Sequence, residues 1–533
     1  MFIRRQTLAA CLLSATLLGS FQASAETVIR RGTGASPGTL DPHKSELLAE
    51  SIVLYDLLEG LLTPDGKGGF RPAMATGWTI SPDAKTYTFT LRRDAKWSDG
   101  TPVTADDFVY SWRRLVKPET ASPYAYYLWT VENGEAITKG QEKDLAKLGV
   151  SAPDPHTFVV RLVKPAGYFL SMLQHTATFP VHRASVEKHG DQFTQPGNYV
   201  TNGAYVMTEN VPQSHMKLVK SKTYYEADQV KIDTVMAYPI DNLDTEFKKF
   251  RAGELDVTYT LPTTQVRWAR DNLKEAFREH QTFSTFYLSF NHRNEPWKSN
   301  PKLREALSLA VDREAIAEKV LNGERAAYSF TPPGTGGYDQ PGMPSWVKLS
   351  QAERDARAKQ LMAEAGYGPG GKPLPPVEIV YFTSENARKV MIATAAMWKQ
   401  KLGVETLLNN QEFRVVSDIG NEKAYKDLLF FSWIGDYPDA NSFLTLLRSD
   451  VSLQNFPDYR NPAFDAMLEQ ANTLVDPAAR VAKLKEAETM MMADTPVVPI
   501  FHNLRRRLVN PKVQGWVPNA LDFYPTRFLE MKG

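Results

Sequence analysis

The chain has 533 residues, 42% of them hydrophobic and 23% charged; this is too long for one ordinary core, and two or three domains are expected. With 62 Lys and Arg against 61 Asp and Glu the formal net charge is +1, and the mixed distribution of signs gives no footprint for nucleic acid or a membrane surface. The single cysteine, Cys11, excludes disulfide frameworks, thiolate metal sites and a cysteine nucleophile once the leader that contains it is removed.

That leader comes first along the chain. Met1 to Arg5 is a positive n-region, Leu8 to Phe21 an apolar h-region and Ala23-Ser24-Ala25 a small-residue cleavage site, so residues 1–25 read as a secretory signal and the mature chain as an exported, soluble protein. Strand and helix patterns then alternate to the end, which predicts a mixed α/β protein. Lys85 to Leu91 alternates with period two, placing Tyr87, Phe89 and Leu91 on one face. Thr104 with Asp107 and Ser350 with Glu353 have the spacing of capping boxes that open helices. Leu303, Ala306, Leu307, Ala310 and Val311 follow helical spacing; Val390 to Leu402 forms another helix ending at Gly403, and Asp476-Pro477 opens a further one. Thr331 to Pro344 and Gly368 to Pro376 are loops. The dense basic run Arg505-Arg506-Arg507 reads as a solvated face.

Motifs for catalysis fail on inspection. Gly34-Ala35-Ser36-Pro37-Gly38 has the outline of a nucleophile elbow, but the residue after the serine must donate its N–H to an oxyanion, and Pro37 has none. The nine histidines are scattered, with no H-E-x-x-H, no EF-hand loop and no phosphate-binding glycine loop. No enzyme, cofactor or metal site is expected. Aromatic residues gather near turns instead: Tyr124, Tyr126, Tyr127 and Trp129, then Trp433 and Tyr437.

The most telling stretch is Phe430 to Asp439. An apolar run, Leu428 to Phe431, reads as a buried strand delivering Trp433 and Asp436 into a short turn punctuated by Gly435 and Pro438. A carboxylate held among aromatic rings resists ionisation unless a cation pairs with it. That cation is either a structural Lys or Arg or the amino group of a ligand.

The block Ala95-Lys96-Trp97-Ser98-Asp99-Gly100-Thr101-Pro102-Val103-Thr104-Ala105-Asp106-Asp107-Phe108-Val109-Tyr110-Ser111-Trp112 resembles the signature of bacterial extracellular solute-binding proteins of the oligopeptide/dipeptide/nickel family. Leu40-Asp41-Pro42-His43, Val200 to Tyr205, Tyr287 to Asn291, Leu303 to Ala306 with Asp312-Arg313, and Val498-Pro499-Ile500 follow in the family's order, so the resemblance covers 26–533. It implies a two-lobed periplasmic binding protein of the large three-domain oligopeptide-binding class with a ligand cleft between the lobes. Domain I would gather 26–58, 183–284 and 504–533, domain II 59–182 and domain III 285–503. It implies a monomeric receptor that captures oligopeptides by backbone pairing and delivers them to the permease subunits of an ABC transporter, with no nucleic acid partner. The same fold could also take a murein peptide, an opine-like compound, a metal chelate or a sugar.

Carried over by motif, Asp436 pairs with the ligand's α-amino group, with Trp433 and the backbone at Ser432 and Ile434 flanking its first residues. Glu46 and Leu48 match the opposite wall; Tyr124, His175, Phe501 and Asn503 match other cleft positions. The family tends to meet the ligand's carboxylate with basic side chains, and here those positions hold Phe430, Asn421 and Ala387. The ligand is therefore expected to be longer, modified or amidated at its far end, unless Arg388 or Arg414 substitutes.

Overall fold

A computed structural model describes residues 26–65, 69–334, 336–368, 371–451, 454–474 and 476–532. The leader, Cys11 and the side chain of Arg414 lie outside the described residues. Val28–Gly34 (β1) opens the chain. Ala75–Ile80 (β2), Thr86–Leu91 (β3), Val150–Asp154 (β4) and Thr157–Arg161 (β5) then form an antiparallel sheet in the order β2-β3-β5-β4. Tyr205–Val211 (β6), His215–Lys220 (β7) and Thr234–Pro239 (β8) return to the first strand, in the order β1-β8-β7-β6, with β1 and β8 parallel. The largest sheet comprises Phe277–Phe290 (β9), Arg325–Ala326 (β10), Val377–Phe382 (β11), Thr406–Gln411 (β12), Leu428–Ile434 (β13) and Val497–Leu508 (β14), ordered β10-β14-β9-β13-β11-β12.

Two large cores hold these sheets. One joins both four-stranded sheets through Ile29, Leu54, Phe89, Phe108, Trp112, Phe158 and Tyr205. The other surrounds the six-stranded sheet through Leu288, Leu303, Trp398, Phe430, Leu468 and Leu484. The protein is thus a mixed α/β molecule of two lobes, the first built on two sheets.

Local signals place the elements as their chemistry dictates. On β3, Tyr87, Phe89 and Leu91 are all buried. Helix Ala105–Val116 opens with the Asp107 carboxylate accepting the Thr104 N–H at 2.7 Å and hydroxyl at 3.1 Å. The Ser350 N–H donates to Glu353 at 2.7 Å, starting helix Gln351–Glu364. Helix Glu385–Leu402 stops at Gly403, whose φ of 69° suits a residue without Cβ. Asp476 accepts the N–H groups of Ala478 and Ala479, ahead of helix Pro477–Asp494. Gly34 ends β1 and Ala35 to Gly38 is a loop after it, with no helix beginning directly after Ser36.

The arginine run corrects the sequence reading. Arg505, Arg506 and Arg507 lie on β14 and are buried or half-buried, not solvated. Arg505 and Arg507 both pair with Asp522, which is also 3.1 Å from His280. Arg506 pairs with Glu279 at 2.6 Å and Glu324 at 2.7 Å. All these partners are distant in sequence except Asp522, which no periodicity ties to the run.

Candidate functional site

The site is built on the end of β13. Leu428 to Phe431 are buried between β9 and β11, as an apolar run on an inner strand should be. The strand runs on through Ile434, so Trp433 belongs to it and the turn starts only at Gly435, later than the sequence suggested. β11 is paired to β13 only as far as Tyr381 opposite Phe430, whereas β9 continues to Ser284 opposite Ile434. The Gly435 N–H donates to the Phe283 carbonyl at 2.8 Å, which fixes the phase of the ladder. Residues 435 and 433 spend their backbone groups on β9; Ser432 and Ile434 aim theirs at the side where β11 has stopped. This is an open strand edge facing the gap between the lobes, and Ile434 is 65% exposed on it.

The turn is pinned from below. A Cβ at Gly435 would lie 2.2 Å from the Phe283 ring, so Gly435→Ala should destabilise the protein by about 1–3 kcal/mol in urea melts and weaken ligand binding by moving its neighbour. Trp433 Nε1 donates to the Ser442 carbonyl at 2.9 Å, and the Asp436 N–H to the Ser442 hydroxyl at 2.9 Å.

Asp436 meets the other lobe directly. The Tyr126 hydroxyl donates to Asp436 Oδ2 at 3.1 Å, and the Tyr124 hydroxyl stands near enough to favour the charged form as well. Tyr124 stacks on Tyr126 at 5.6 Å and lies 4.5 Å from the His175 ring, which is 4.8 Å from Tyr127. Tyr127, Met172 and Tyr437 close the cluster as buried neighbours. Burial pushes the Asp436 carboxyl up to about 7, with the two tyrosine hydroxyls pulling the other way. Its side chain retains partial solvent access, although the surroundings are those of an interior. Among the described residues no ion pair includes it. His175 supplies no charge: burial pushes its imidazole down to about 3, and Nδ1 accepts the Ala177 N–H at 3.2 Å. The arrangement is an acceptor desolvated among hydroxyls, with no cation beside it among the described residues.

Further contacts join the lobes beside it. Tyr168 stacks on Tyr437 at 5.6 Å, and Lys164 pairs with Glu469 at 2.6 Å. Arg480 holds Asp439 through two hydrogen bonds and covers Gly167, where a Cβ would lie 2.7 Å from its Nε.

The remaining expected residues divide. Glu46 is exposed and Leu48 half-buried; their segment is held by the Glu50 carboxylate, which accepts the N–H groups of Gly38, Thr39, Glu46 and Leu47 at 2.7–3.1 Å. The charge of Glu46 reaches the Tyr124 phenol and helps to raise its pKa, behind burial and Asp436. Phe501 stacks on Phe286 at 4.4 Å with 10° between the rings, and Asn503 Nδ2 donates to Thr282 Oγ1 at 3.3 Å. Phe430 is fully buried, 5.8 Å from Phe382 and 6.2 Å from Phe286. Arg388 is exposed, and Ala387 is buried in the first turn of its helix. Sequence reading did not single out Phe286 or Tyr168, nor the Tyr126 bond to Asp436 across 310 positions. Aromatic residues beside turns were the only available signal. A polar cavity of about 190 Å³ lined by Ser36, Asp191, Asn210 and His215 shares no residue with this site.

The model of bacterial extracellular solute-binding proteins, family 5 Middle, matches residues 69–495. The periplasmic oligopeptide-binding protein OppA of Escherichia coli is 37% identical over 527 residues, 96% of each chain. The periplasmic murein peptide-binding protein MppA of the same organism is 40% identical over 486 residues, 91% of this chain and 89% of that protein. The structure of Haemophilus influenzae OppA in complex with RPPGFSPFR superposes with a TM-score of 0.79 at 36% identity, covering 95% of this chain and 99% of that one.

Proposed function

The chain belongs to the bacterial extracellular solute-binding proteins of family 5, and from that membership we propose that it captures peptides in the cleft between its lobes. Members of this family bind solutes and are not enzymes, in keeping with Pro37 following Ser36. The observation that carries the peptide reading is Asp436: a desolvated carboxylate with no cation paired to it among the described residues, two residues beyond a strand edge with unpaired backbone groups. An extended peptide satisfies both at once, its main chain adding to β13 and its ammonium supplying the charge. Backbone pairing binds without choosing side chains, and the single charge sets direction. Trp433, Tyr124, Tyr126 and His175 then wall the first ligand residues, with Glu46 and Leu48 opposite and Phe501 and Asn503 further along the sheet.

The same reading makes this a monomeric periplasmic receptor, exported by the leader at 1–25, that hands its cargo to ABC permease subunits. Its proposed domains are 26–58 with 183–284 and 504–533, then 59–182, then 285–503. The strands of each sheet support this division, with β9 and β14 running through the junctions.

Proton linkage tests it. A free carboxyl with a pKa of about 7 is mostly protonated at pH 6, whereas a ligand α-amine with a pKa near 8 is mostly neutral at pH 9. Pairing requires both to be charged. Binding of trialanine should therefore release about 0.9 proton at pH 6 and take up about 0.9 at pH 9, read by calorimetry in buffers of different ionisation enthalpy. Binding without proton exchange at either pH would remove Asp436 from the anchor role.

A further inference from the structure

The middle of the six-stranded sheet has an anomaly. Phe286 sits on β9, an inner strand flanked by β13 and β14, where both neighbours in sequence, Thr285 and Tyr287, are buried. Phe286 is only half-buried. Its face of the sheet is therefore uncovered at that point. The register explains the opening: the residue directly opposite on β13 is Ser432, whose small side chain leaves the ring bare. Around the gap stand Ile434, two residues further along the same face; Phe501, stacked on the ring from β14; and Phe382 at the end of β11, 6.5 Å away. Phe413, 49% exposed, lies 5.4 Å from Phe382 and extends the apolar wall outward.

We propose that this niche, floored by Phe286 and rimmed by Ile434, Phe382 and Phe413, is a subsite that selects peptides with a bulky aromatic or aliphatic side chain. The inference rests on the peptide reading above and adds a preference to it. Its position follows from strand geometry. Ser432 is four residues from Asp436, roughly 13 Å at about 3.3 Å per residue, so an extended ligand anchored by its amine reaches the niche at about its third or fourth residue. Ser432 and Ile434 belong both to the open edge and to the niche, so a main chain paired to that edge projects a side chain into it. The occupant is apolar because every rim side chain named is apolar, and water against these rings is released when it enters.

The test compares Ala-Ala-Phe-Phe with Ala-Ala-Ser-Ser by calorimetry at pH 7.5, each also in N-acetylated form. The aromatic peptide should bind about tenfold or more tightly. Phe286→Ser should bring that ratio close to one with Ala-Ala-Ser-Ser unchanged. Phe413→Ser, at an exposed rim position that removes no core ring, should lower the ratio in the same direction if Phe286→Ser fails to fold by circular dichroism. Equal affinities with acetylation abolishing both would overturn the niche and leave the peptide reading standing. Binding of neither peptide would overturn both.

Discussion

Replacing Asp436 by asparagine is expected to cost about 2–5 kcal/mol of affinity for a free-amine peptide, a loss of about thirtyfold or more, while stabilising the empty protein at alkaline pH. Both effects have one cause. The carboxylate is desolvated and no cation among the described residues compensates it, so its ionised form is favourable only when a ligand supplies the charge. The sign for the empty protein follows from linkage. Its folded-state pKa, about 7, is raised above the unfolded value of 3.8, so the folded state binds the proton more tightly. This contribution is fully present at acid pH, declines as pH rises through the window from 3.8 to about 7 and stays low above it. The variant, having no proton to lose there, should match the wild type near pH 4 and exceed it by about 2–4 kcal/mol at pH 8, by urea denaturation. Glu488 and Glu246, whose carboxyls burial also pushes up to about 7, remain in both proteins and cancel in the comparison. Superimposable pH–stability curves would show that Asp436 ionises freely in the empty cleft.

The second large effect lies away from the ligand. Asp522 accepts a charge-assisted hydrogen bond from Arg507 and forms an ion pair with Arg505 at 3.0 Å, with His280 completing its surroundings. Burial works to raise its pKa, but the two arginines and then His280 overcome it and hold the carboxyl at about 2. Asp522→Asn would leave two guanidinium groups without their shared counter-charge, at a cost of about 3–5 kcal/mol. The linkage here has the opposite sign. A depressed folded pKa gives stability that is present above the unfolded value of 3.8 and lost as pH falls toward about 2. The variant should therefore be much less stable than the wild type at pH 7, with the gap narrowing by about 2 kcal/mol near pH 2, in thermal melts at both values. An unchanged melting temperature at pH 7 would mean that solvent already neutralises the arginines.

Local signals were legible in the sequence because their partners are close along the chain. Thr104 and Asp107, Ser350 and Glu353, and Asp476 with Pro477 each act within one helical turn, and period-two alternation marked β3. Asp436 was legible for a different reason: a carboxylate amid aromatic residues is costly wherever the chain goes. What supports it was not. Tyr126 reaches it across 310 residues, and the open edge depends on where β11 stops relative to β13, which no pattern within either strand records. Arg505 to Arg507 show the converse. Three adjacent charges suggest solvent, and only the return of Asp522, Glu279 and Glu324 to the same place makes their burial tolerable. Phe430, met as the replacement for a basic side chain, is an interior ring in the wall beside Phe286.

Phe283 connects two regions that have so far stood apart. The β9–β14 pair is rooted at one end in a small core of Phe247, Leu261, Val266 and Leu508 and at the other in the large core of the six-stranded sheet. Its register breaks between Gln281 and Thr285, so a change in lobe angle would meet the least ladder resistance there. Within that break the Phe283 N–H donates to Ala520 at 2.7 Å, its carbonyl receives the Gly435 N–H, and its ring supports Gly435 and packs on Phe443 at 4.8 Å. The joint and the floor of the anchor are thus the same residue. Bending at the joint would tilt the platform that carries Asp436, so the lobe angle and the aim of the carboxylate would change together.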